Sequence, residues 1–124
     1  MRPVIVTLLL LFTGIAQAFE HATWDALLNA HVQWVRGGVT SQVDYDGFAA
    51  DQARLDHYLD SLGTVSEQQF RRFQRDQQLA FLINAYNAFT VKLILDQDPR
   101  PDSIRDIGSL FSGPWDQRFF ELLG

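Results

Sequence analysis

The chain has no cysteine, and that absence removes several chemistries at once. There is no disulfide, no thiolate metal site, no cysteine nucleophile and no lipid-modified N-terminal cysteine within these residues. A small domain outside the cytoplasm often relies on disulfides; this one must rely on its core. Basic residues are also few, ten against fifteen acidic, for a net charge of −5. That balance argues against a nucleic-acid partner, whose phosphates need a basic face. It equally disfavours electrostatic docking on anionic lipid. Arg71, Arg72 and Arg75 are the one local basic cluster and read as a solvated helix face. No histidine pair has zinc spacing, no glycine-rich phosphate loop occurs, and no Gly-x-Ser-x-Gly is present. Low-complexity stretches, long charge blocks and internal repeats are likewise missing.

What is present begins at the N-terminus. Arg2 supplies a positive charge, Val4 to Phe12 is apolar apart from Thr7, and Ala16-Gln17-Ala18 is a small-x-small exit. These are the three parts of a secretory signal peptide. The apolar run is shorter than the roughly 20 residues needed to span a bilayer. The pattern predicts a signal peptide over residues 1–18 and a mature chain from Phe19 to Gly124, located in the periplasm or secreted. Removing Arg2 with the signal leaves nine basic residues against fifteen acidic. No membrane association is expected after cleavage. Ten Phe and three Trp supply large apolar side chains, so a packed core is within reach of one small domain.

Along the mature region, Thr23 is a candidate cap for a first helix. Trp24, Leu27, Leu28, His31 and Val35 fall on one face of it, and Gly37-Gly38 ends it. Val39 to Tyr45 is partly β-branched and suits an extended segment, with Asp46-Gly47 as a turn. A second helix is expected from about Phe48 to Leu62, striped by Leu55, Tyr58, Leu59 and Leu62. Thr64 with Glu67 and Ser66 with Gln69 are overlapping capping signals for a short helix holding Phe70 and Phe73. Asp76 to Leu95 is the longest signal, free of Gly and Pro after Asp76 and apolar over most of its circumference, so it should be the central buried helix. Pro99 and Pro101 stop it. Asp102 to Ile107 suits one more helical turn. Trp115 to Leu123 reads as extended. The expected fold is α+β, mainly helical, built around a buried helix at about 76–95. The apolar end Phe119–Leu123 and the need to cover that helix suggest an incomplete domain.

Chemistry-bearing residues are sparse. Asn84 and Asn87, three apart on the long helix, form a polar stripe with Ala80, Ala88 and Val91. Two amides buried in an apolar helix must be satisfied. Either they tie down a neighbouring backbone, or they line a cleft and orient a ligand. His31 on the apolar face of the first helix suits a packed residue with one hydrogen bond; a catalytic or ligand role is the weaker alternative. His57 and His21 carry less information. Asp44-Tyr45-Asp46-Gly47 starts like a calcium loop, but the twelfth position is Leu55, so the pattern fails and Asp44 reads better as a turn cap. A metal site from His31, Asp44 and Asp46 has no supporting ligand spacing. No catalytic residue, metal or cofactor is assigned.

The run Gln78-Leu79-Ala80-Phe81-Leu82-Ile83-Asn84-Ala85-Tyr86-Asn87-Ala88-Phe89-Thr90 resembles the most characteristic segment of the domain-of-unknown-function family 547. His31-Val32, Val43-Asp44-Tyr45, Gly47-Phe48, Leu55 and Tyr58-Leu59 are similar to that family's opening, and Pro99, Ser103-Ile104, Pro114-Trp115 and Phe119-Phe120 to its middle. The resemblance spans Trp24 to Gly124. It implies a longer domain whose second half carries a His- and Cys-containing segment that this sequence lacks. Two function classes stay open. One is a hydrolase or transferase whose Cys–His pair lies beyond Gly124. The other is a non-catalytic periplasmic module that binds a small molecule or protein, or acts as a scaffold.

Overall fold

A computed structural model describes residues 19–101 and 122–123. The segment read as a signal peptide, the expected helical turn at 102–107 and most of the expected extended end at 115–123 lie outside the described residues. Within them the order is helix α1 (Ala22–His31), strand β1 (Val32–Val35), a 3-10 turn (Arg36–Gly38), strand β2 (Thr40–Val43), and helices α2 (Tyr45–Ala50), α3 (Gln52–Gly63), α4 (Glu67–Arg71) and α5 (Arg75–Leu95). The architecture is mainly helical α+β with one two-stranded sheet.

The first helix is shorter than its apolar spacing suggests, and its start is capped differently. His21, not Thr23, occupies the N-cap position and makes no side-chain cap bond. The helix ends at His31 because Val32 is already extended, at φ −121° and ψ 129°. Val32 to Val35 is β-branched or aromatic at three of four positions, and it has a partner of matching length. β1 and β2 pair antiparallel with Val32 opposite Val43 and Val35 opposite Thr40. Val35 therefore belongs to a strand rather than a helix face. Gly37 and Gly38, at φ 67° and 87°, make the reversal between the strands, a conformation that strongly favours glycine.

The helix expected from Phe48 to Leu62 is two helices. They break at Asp51, at φ −99° and ψ 18°. Asp46-Gly47 falls in the first turn of α2, and Asp44 caps that helix by accepting from the Gly47 N–H at 3.0 Å. Of the two capping signals before α4, the Ser66–Gln69 pair forms reciprocally, at 3.1 and 2.8 Å. α5 starts one residue before Asp76. Its N-terminal bond runs from the Gln74 N–H to Gln77 Oε1 at 3.2 Å.

The core gathers one face of each main helix: Trp24 and Leu27 from α1, Phe48 from α2, Leu55, Tyr58 and Leu62 from α3, and Phe81, Ala85, Ala88 and Val91 from α5. Trp24 stacks on Tyr58 with centroids 5.8 Å apart and planes 12° from parallel. Phe81 meets Phe19, Phe70 and Phe73 at 5.2–6.2 Å. These edge-on and tilted contacts are the geometry aromatic quadrupoles favour.

The expectation of a helix buried all round is not confirmed among the described residues. The buried positions Phe81, Ala85, Ala88, Val91 and Ile94 lie on a single face, while Leu79, Leu82 and Ile83 are 57%, 46% and 50% exposed. The described helices pack on α5 from the side of α2 and α3, and one layer of neighbours covers one face. By length and composition α5 could also cross a bilayer, a property it shares with core helices of soluble proteins. Lys92 ties it to α3 through Asp56 at 2.9 Å and to its own C-terminus through Asp96 at 3.4 Å.

Candidate functional site

Two clefts flank the hairpin. The first has a volume of about 310 Å³ and is bounded by α1, the hairpin, α2 and α5. Trp24, Leu28, Val32, Phe48 and Val91 give it apolar walls; Ser41, Tyr45, Asn84, Asn87 and Thr90 give it polar ones. Among the described residues, none that lines it carries a charge near neutral pH. Burial pushes the Tyr45 phenol above its ordinary range, which keeps that group neutral as well.

Asn84 and Asn87 are thus brought together on one wall, as their three-residue spacing implies. They are not a buried pair. Asn84 is half-buried and Asn87 exposed, and neither bonds to another described residue. Solvent can satisfy both amides, so the expected penalty for unpaired buried groups does not arise. Ala85 and Ala88 face the core instead, where their small size lets α5 approach its neighbours. Thr90 donates from Oγ1 to the Tyr86 carbonyl at 2.7 Å, and its lone pairs stay available to accept. Trp24 is 1% exposed, and its indole N–H has no acceptor among the described residues.

The second cleft, about 450 Å³, lies by the base of the hairpin. His31, Asp44, Asp46 and Arg100 border it with Gln33 and Gln42. Arg100 pairs with Asp46. His31 Nε2 lies 2.6 Å from Asp51 Oδ2. The carboxylate accepts, so Nε2 is the donor. Phe48 packs on the imidazole with centroids 5.1 Å apart. The backbone closes the same corner, the Asp44 N–H donating to the His31 carbonyl at 2.8 Å. His31 and Asp44, both singled out from sequence, therefore meet. Asp51 was missed, since twenty residues separate it from His31 and no local spacing marks the pair.

Gly47 is the packing key of this corner. A Cβ there would lie 2.4 Å from His31 Nδ1 and 2.7 Å from Asp44 Oδ2. Among the described residues no group of three or more His, Cys, Asp or Glu is placed to hold a metal ion. His57 is exposed on α3. His21 pairs through Nδ1 with the Tyr58 hydroxyl at 2.7 Å. Burial lowers the His21 pKa, against the opposing pull of Asp25 and Glu20. Burial also raises the Tyr58 phenol well above its usual range, with the Asp25 charge adding to the effect.

The family model described as "Protein of unknown function, DUF547" matches residues 70–121. The matched span includes the α5 wall of the first cleft, with Asn84, Asn87, Thr90 and Val91, and excludes His31, Asp44 and Asp51. No curated protein and no solved structure matches the chain. From Phe70 through α5 and on to Glu121, the sequence is thus similar to the DUF547 family.

Proposed function

We propose that this chain is the ligand-binding part of an exported domain, and that the cleft between α1, the hairpin and α5 is its site. One observation carries the reading. The Asn84/Asn87 stripe, unbonded to the rest of the described protein, lines a concave surface whose other walls are aromatic and aliphatic. Small-molecule sites typically combine an apolar lining with a few convergent polar groups. An amide pair serving structure alone would instead bond to neighbouring backbone. Export is supported by the charged, apolar and small-residue segments of residues 1–18.

The test is solvent mapping by two-dimensional NMR on the 15N-labelled chain from Phe19, with acetamide and isopropanol as probes. Shift changes concentrated at Trp24, Tyr45, Asn84, Asn87 and Val91 support the site. Changes scattered over the surface, or gathered elsewhere, remove it. For export, intact-mass measurement of the extracytoplasmic fraction should find a species whose N-terminus is Phe19. Retention of residues 1–18 in a cytoplasmic product overturns that part.

A further inference from the structure

The chemistry of the cleft walls narrows the ligand class. We infer that the cleft takes an uncharged ligand bearing an amide, such as a peptide unit or an N-acyl group with an aliphatic side chain, and that Asn84 and Asn87 recognise that amide. This inference rests on the cleft being a binding site, and it makes a narrower claim.

Three observations lead to it. The first is charge. No acidic or basic residue is among the described residues that line the cleft. An ionic group entering it would lose hydration without gaining a counter-charge, a costly exchange. The second is hydrogen-bonding capacity. Asn84 and Asn87 stand on one helix face with no partner among the described residues, so each presents a carbonyl acceptor and an NH2 donor. An amide presents the same donor and acceptor in return, and two carboxamides three residues apart can meet both ends of it. Thr90 can add an acceptor beside them, since its proton is already committed to the Tyr86 carbonyl. The third is shape. A volume of about 310 Å³ with Leu28, Val32, Phe48 and Val91 in the walls suits one branched aliphatic side chain and its flanking amides. It sits at the small end of ligand pockets, which run from about 300 Å³ upward.

The second cleft is a poor competitor for such a ligand. It is bordered by Asp44, by the Asp46–Arg100 pair and by His31, groups that favour charged partners.

On the 15N-labelled chain, the experiment compares three probes that share the leucine side chain: N-acetyl-L-leucinamide, which is neutral; L-leucinamide, which is cationic and lacks the acetyl group; and N-acetyl-L-leucine, which is anionic. Isoamyl alcohol serves as a neutral probe without an amide. The neutral diamide should move the side-chain NH2 resonances of Asn84 and Asn87. It should also bind about tenfold or more tightly than either charged analogue, the ratio expected for one well-made polar recognition. Asn84→Leu should weaken it by a similar factor while the variant keeps its fold by the dispersion of its spectrum. Asn87→Ala, at an exposed helix position, provides a second variant that leaves the fold intact. Equal or tighter binding of a charged analogue overturns the inference. So does diamide binding that leaves both Asn side chains unmoved or both variants unimpaired. If isoamyl alcohol binds in the cleft and the diamide does not, amide recognition fails while the cleft remains a site. If no probe touches the cleft, the binding reading itself falls.

Discussion

His31 and Asp51 lie 2.6 Å apart across twenty residues of chain, and they join the end of α1 to the break between α2 and α3. The histidine side chain is 13% exposed and the carboxylate 35%, so water screens the contact only in part. A hydrogen bond with one ionised partner contributes roughly 1.5–3 kcal/mol, and the partial exposure places this one toward the lower end. His31→Ala and Asp51→Ala should each lower stability by about 1–2 kcal/mol in urea unfolding. Their double mutant should lose less than the sum. Strict additivity would show that the two side chains do not interact in solution.

Gly47 gives a sharper test of the same corner. A methyl group there meets His31 Nδ1 at 2.4 Å, a distance that forces the ring or the helix to move. Gly47→Ala should destabilise by about 1–3 kcal/mol, the usual cost of overpacking, although alanine favours helices. In a His31→Ala background the ring is gone and part of that loss should disappear, while the Asp44 carboxylate, 2.7 Å from the same position, still has to shift. A Gly47→Ala protein as stable as the parent would mean that the corner is looser than described.

The partial burial of His21 predicts a pH dependence. Burial holds the folded-state pKa of His21 below its ordinary 6.5. Between that lowered value and 6.5 the unfolded chain binds more protons than the folded one, so stability rises with pH through this window. The contribution is fully present above about 6.5 and is lost as pH falls through the folded value. Urea unfolding at a series of pH values between about 5 and 7 should show this slope, and His21→Gln should flatten it. An unchanged slope in the variant assigns the effect to another group.

On α5 the two faces should respond differently. Phe81 is fully buried among Phe19, Phe70 and Phe73, and Phe81→Ala should cost about 3–5 kcal/mol. Asn87 is exposed, so Asn87→Ala should change stability by less than about 0.7 kcal/mol and in the stabilising direction, since alanine is the better helix former. Thermal melts of the two variants check both. A large loss from Asn87→Ala would mean that the amide supports structure after all.

Much of the helical framework was legible because periodicity records which face a helix buries. Leu55, Tyr58, Leu59 and Leu62 form one stripe by their spacing and are all buried. Ser66 and Gln69 announced their reciprocal cap, because that motif is complete within four residues. The errors share a cause as well. Val35 fits a helical stripe by spacing, yet its preference for extended backbone is realised because Thr40 lies opposite to pair with it. Asp51 sits inside a continuous helical pattern, and the break there appears only in the folded backbone, at φ −99° and ψ 18°.

The same division holds for the candidate sites. Sequence by itself determined that no thiol chemistry occurs here, that the chain is acidic, that α5 forms, and that Asn84 and Asn87 share a face; each follows from composition or from the geometry of a single helix. Only the tertiary structure decided that those amides border a cleft rather than a core, that α5 buries one face against the described helices, and that His31 meets Asp51. Those outcomes depend on which elements pack together, and contacts between residues distant in the chain leave no local spacing to read.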